Sequence, residues 1–73
     1  MAQEIIEAPL PGRILQVNIS VGNHVNENAV VCTIEAMKME NPILSPVGGS
    51  AVEVGVSPGQ VVKVGDKIAV IEY

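Results

Sequence analysis

Few residues in this chain could do chemistry, and most of them stand alone. His24 is the single histidine and follows a glycine turn with no second histidine or cysteine beside it, which suits a surface role rather than catalysis. Cys32 is the single cysteine; it cannot form an internal disulfide, and it falls on the inward phase of an expected strand, where a thiol is inert packing. Glu7, Glu27, Glu53 and Asp66 are scattered without the spacing of a metal site or an acid/base pair. Gly48-Gly49 lacks the following helix and the lysine of a phosphate-binding loop. The expectation is therefore that the chain has no catalytic residues and no metal ligands.

Lys38 is different. It sits between Met37 and Met39 in the segment Glu35-Ala36-Met37-Lys38-Met39-Glu40. A primary amine on a four-carbon stem can form an amide with a carboxyl group, provided that it is exposed enough to enter another protein's active site. Paired methionines beside an exposed lysine form an adaptable apolar contact surface, which suits a peptide displayed to more than one partner. The plainer alternative is that both methionines pack inward or stand idle and Lys38 is an ordinary solvated lysine.

The elements that must position Lys38 follow from an internal repeat. Shifting the sequence by 37 positions aligns Ala8–Glu35 with Ser45–Glu72 without a gap and gives eight identities in 28 positions: Pro9/Pro46, Gly12/Gly49, Val17/Val54, Ser20/Ser57, Gly22/Gly59, Val25/Val62, Ile34/Ile71 and Glu35/Glu72. Asn28 falls on Gly65, and Asn is the residue after glycine that best tolerates a left-handed backbone, so both copies call for a positive-φ turn there. The Val- and Ile-rich composition, with a single aromatic residue, favours pleated half-buried surfaces.

Strands are expected at Glu4–Ala8, Gly12–Ile19, His24–Val25, Val30–Ala36, Met39–Leu44, Gly49–Val56, Val61–Val62 and Lys67–Glu72. Glu35–Glu40 is made of helix formers, but its repeat partner Lys67–Glu72 is β-rich, and the repeat decides for a strand. Pro42 lacks a backbone donor and so marks an edge strand. A copy of about 30 residues cannot bury its apolar face alone. The two copies are therefore expected to interlock as a flattened all-β barrel or sandwich with pseudo-two-fold symmetry. The symmetry equivalent of the Met37-Lys38 turn is where the chain starts and stops, which puts the lysine tip and the termini at opposite ends.

On these residues the chain resembles the biotin carboxyl carrier proteins, over about Ala8 to Glu72. The family motif is a lysine between two methionines, preceded by Ala and usually Glu, about 35 residues from the C-terminus; here Lys38 is followed by 35 residues. Ser45-Pro46, Gly49 and Val56–Gly59 also match the family's second half. The resemblance implies two four-stranded antiparallel sheets, a barrel-sandwich hybrid, with Lys38 on the exposed turn that joins the halves. It further implies that biotin is held covalently on Lys38, with Glu35, Ala36, Met37, Met39 and Glu40 as the recognition motif. A biotin protein ligase would attach it, and biotin carboxylase, carboxyltransferase or decarboxylase subunits would use it. In that role the ureido nitrogen takes up a carboxyl group at one active site and gives it up at another, on an arm with a reach on the order of 12 Å. Asn28 stands where the family commonly has Gly. No inserted thumb is present, which looks closer to the carrier segments of acyl-CoA decarboxylases, transcarboxylase, and pyruvate or propionyl-CoA carboxylases.

Composition sets the remaining bounds. The 73 residues fit a single biotinyl carrier domain, 1–73, either free or cut from a longer chain, with 48% apolar content and little volume for a deep pocket. The net charge of −4 disfavours nucleic acid and anionic membrane surfaces as partners. No run approaches a membrane span of about 20 residues, Met1–Ala8 lacks a secretory signal, and a cytoplasmic location is expected. Two other readings stay open: a lipoyl carrier, whose lysine usually neighbours Asp and Ala or Val, and an unmodified β interaction module.

Overall fold

Eight strands form in the computed structural model, which describes all residues from Met1 to Tyr73. They are β1 (Gln3–Glu7), β2 (Gly12–Val17), β3 (His24–Val25), β4 (Val30–Ala36), β5 (Met39–Leu44), β6 (Gly49–Val54), β7 (Val61–Val62) and β8 (Lys67–Glu72). Five of the eight expected ranges match, while β1 begins and ends one residue early and β2 and β6 stop two residues short. Those two ends have a shared cause. The backbone leaves the sheet after Val17 and Val54 so that Ile19 and Val56 can turn toward the core as loop residues.

Two antiparallel sheets result, in the orders β1-β8-β6-β3 and β5-β4-β2-β7. The shift of 37 residues converts β1 to β5, β2 to β6, β3 to β7 and β4 to β8, so it turns one sheet into the other in the same order. Each sheet takes strands from both copies. Neither copy can close a sheet by itself, which is why the repeat has to fold as one body.

The turns obey the same symmetry. Gly22 and Gly59 have φ of 93° and 89°, and Asn28 and Gly65 have 69° and 91°. The amide of Ser20 donates to Asn23 Oδ1 at 2.9 Å, and the amide of Ser57 donates to Gln60 Oε1 at 3.1 Å. Different side chains thus close equivalent loops with the same bond.

Between the sheets lies a core of Ile6, Ile14, Val25, Val31, Cys32, Ile34, Ile43, Val62, Ile68, Ala69 and Ile71, with smaller residues around them. Each fully buried Val or Ile contributes about 1.5–3 kcal/mol relative to an exposed position. Burial of Cys32 raises its thiol pKa and keeps it protonated and inert, as expected. Val31 and Cys32 are buried in succession, and so are the four residues Ile68, Ala69, Val70 and Ile71, which departs from the alternation of a regular strand with one solvent face. A register shift between Val30 and Cys32 and its counterpart opposite Ile68 admit the extra residue.

Pro42 lies on β5, which is an edge strand as its missing donor requires. Its counterpart β1 edges the other sheet. The two edges flank an open groove of about 360 Å³ lined by residues of β1 and β5, Glu7 among them, and by Pro9 and Pro46.

Candidate functional site

The site begins with two strands that must be joined by two residues. β4 and β5 pair from Val30↔Leu44 through Ile34↔Asn41 and Glu35↔Glu40 to Ala36↔Met39, leaving Met37 and Lys38 as the whole connection. Two-residue hairpins that follow the right-handed twist of their strands use type I′ or II′ turns, and type I′ needs positive φ at both central residues, a conformation that Asn and Gly adopt most easily. Here Met37 has φ of 52° and Lys38 has 63°. Two side-chain-bearing residues hold left-handed backbone in succession, at a cost of about 1–2 kcal/mol each. A turn chosen for stability alone would carry different residues.

Every member of the predicted motif except Ala36 is exposed, and Ala36 is partly so. Met37 is 94% exposed and Met39 65%, which excludes the alternative in which the methionines anchor the turn in the core. Lys38 is exposed at the apex and forms no ion pair; the one salt bridge of the chain joins Lys67 Nζ to Glu53 Oε2 at 2.8 Å. Glu35 and Glu40 face each other directly across the hairpin below the tip. Like charges in that position disfavour the pair. They keep the stem of the hairpin solvated and give it a negative collar.

One further residue belongs to the site and was not singled out from the sequence. Asn41 Nδ2 donates to the carbonyl of Ile34 and to the carbonyl of Met39, both at 3.3 Å. The amide spans the last pairs before the turn. Asn in a strand next to proline carries no signal of such a role; only the register shows it.

The other candidates stay apart from the tip. His24 pairs its Nε2 with Asn26 Oδ1 at 3.0 Å on the surface, and Cys32 is buried. No group of three His, Cys, Asp or Glu side chains could hold a metal ion. No helix long and apolar enough to cross a membrane is present.

The tip and the termini lie at opposite ends. Four residues join the end of β1 to the start of β2 beside the tip, and four join the end of β5 to the start of β6 beside the termini. Ala2 and Tyr73 exchange two backbone hydrogen bonds of 2.8 and 2.9 Å, the counterpart of the last pair of the lysine hairpin. The long dimension of the molecule is 36 Å against 18 and 17 Å across.

Residues 3–71 match the family model described as biotin-requiring enzyme. The chain is 43% identical over 70 residues to the biotin carboxyl carrier protein of Streptococcus mutans, covering 96% of this chain and 54% of that one. It is 40% identical over 68 residues to the biotinylated protein TB7.3 homolog of Mycobacterium leprae, covering 93% and 96%. The fold superposes on part of the urea carboxylase of Kluyveromyces lactis with a TM-score of 0.89 and 30% identity, over 99% of this chain and 6% of that enzyme. The chain thus spans about half the length of the carrier protein it matches and a small part of the carboxylase.

Proposed function

Because the chain belongs to the biotin-requiring enzyme family, we propose that it is a carrier domain in which Lys38 Nζ is amide-linked to biotin and presented to the active sites of a biotin-dependent carboxylase, decarboxylase or transcarboxylase. The observation that carries this reading is the exposed amine at the apex of a two-residue hairpin, with Met37 and Met39 turned to solvent on either side.

The residues present fit the cofactor. Covalent attachment asks for an accessible amine and no cavity, and the groove of the domain is open and lies on β1 and β5 rather than on the turn. An ordinary lysine is an ammonium ion at neutral pH and does not attack a carboxylate. A biotin protein ligase must remove the proton and supply biotinyl adenylate. Lys38 Nζ then attacks the acyl carbon, the bond from that carbon to the phosphate oxygen breaks, and AMP leaves. When bound, biotin supplies a ureido nitrogen that accepts a carboxyl group and later releases it.

The chain contributes the rest. The four-carbon stem of Lys38 extends the arm, the left-handed turn aims it away from the barrel, and the methionines give partner enzymes a deformable apolar contact. Delivery by a tethered arm raises the effective concentration of the reacting group.

Incubation with biotin, ATP and a biotin protein ligase, followed by intact mass and a streptavidin blot, tests this reading. The expected result is a gain of one biotinyl group on the native chain and none on Lys38→Arg. Uptake by the arginine variant, or a mass gain of lipoate in place of biotin on expression, would overturn it.

A further inference from the structure

We infer that Asn41 is a positioning residue for the lysine hairpin, holding the strained turn in one geometry so that a modifying enzyme meets a preformed tip. The inference rests on the proposed attachment at Lys38 and extends it to a residue outside the Glu35–Glu40 motif.

The geometry is specific. Met37 and Lys38 are both left-handed, and each would relax if the strands beneath them could fray. Asn41 supplies two donors from one planar amide, one to the Ile34 carbonyl on β4 and one to the Met39 carbonyl at the mouth of the turn, each at 3.3 Å. A single side chain therefore bonds the entering strand and the residue that leaves the turn. Fraying of the tip breaks both bonds together. Partial burial shields the bond to Ile34 from competing water, while the bond to Met39 is exposed to it.

The repeat supplies an internal control. The counterpart of Asn41 is Glu4 on β1, which faces Ile71 in the pairing where Asn41 faces Ile34. Glu4 can donate no hydrogen bond as a carboxylate, and its strand pair closes on Tyr73 and Ala2 without a turn to hold. The barrel thus forms the same strand pairing with and without the amide. The scaffold does not require Asn41; the turn does.

The test compares the native chain with Asn41→Asp, Asn41→Leu and Asn41→Gln. Asn41→Asp and Asn41→Leu both remove the donors, one adding charge and one not, whereas Asn41→Gln keeps them on a longer arm. Two readouts are taken: the backbone order parameters of the Met37 and Lys38 amides by NMR, which need no ligase, and the kcat and KM of ligase-catalysed biotin uptake. Expected are lowered order at the tip alone in Asn41→Asp and Asn41→Leu, and a rise in KM on the order of tenfold with kcat less affected, because binding must now order the turn. Asn41→Gln should recover part of both. Failure of the native chain to take up biotin would sink the function and leave the NMR result to decide the inference. Native order parameters and native KM in both donor-less variants would overturn it. So would a defect confined to Asn41→Asp, which would trace to charge, or one that scales with loss of thermal stability across the three.

Discussion

At the scale of single residues, the site is a compromise between a good turn and a useful one. Met37 is almost fully exposed and touches no core, yet it occupies a backbone conformation that favours glycine. Met37→Gly should therefore raise stability. Relief of left-handed strain, about 1–2 kcal/mol, exceeds the added unfolded-state entropy of glycine, about 0.5–1 kcal/mol, and the melting temperature should climb by a few degrees. The same variant should take up biotin or serve partner enzymes less well, since it loses a contact side chain and loosens the tip. A melting temperature equal to or below that of the native chain would show that the turn is not strained in solution. Lys38 and its flanking residues were legible in the sequence because their types clash with their setting, apolar thioethers beside an amine at a turn. Asn41 was not legible, since its partners are backbone carbonyls whose positions depend on a strand pairing that no local pattern reveals.

At the scale of elements, the repeat settled what propensity could not. Glu35–Ala36 ends a strand despite its helix-forming residues, because β4 must copy β8. The strand ends at Val17 and Val54 were overrun for a physical reason: Ile19 and Val56 continue the apolar pattern, and a pattern does not say whether a buried residue sits on a strand or in a loop folded over the core. The bulges at Val31 and Ile68 were hidden likewise, as two buried neighbours look like a break in alternation until the register is known. The symmetry also makes a quantitative forecast. A β-carbon on Gly12 would collide with the Glu35 carbonyl oxygen and Ile34 Cγ2, and one on Gly49 with the Glu72 carbonyl oxygen and Ile71 Cγ2. Gly12→Ala and Gly49→Ala should each cost about 1–3 kcal/mol in urea unfolding, by similar amounts, through overpacking. Gly48→Ala, whose nearest neighbour would lie at 3.4 Å, serves as the near-neutral control. Unchanged midpoints at both pseudo-equivalent positions would mean that the strands do not approach as closely as described.

At the scale of the whole molecule, the repeat announced two interlocked halves but not their weave. Which strands share a sheet depends on pairings between copies, and self-similarity within one sequence is equally consistent with two separate sheets, one per copy. The interlocked arrangement sets the lysine tip and the termini at opposite poles of a body 36 Å long. A folded partner fused through a short linker at either terminus should therefore leave kcat/KM for biotin uptake within about twofold of the unfused chain, because nothing crowds the tip. A large loss with both fusions would place the ends near the lysine. The pairing of Ala2 with Tyr73 carries a last consequence. Entry and exit share one doorway, so a surface bend of some unrelated host could accept this body as a guest, like a bead sewn on by two threads through one hole, without parting the host's own backbone.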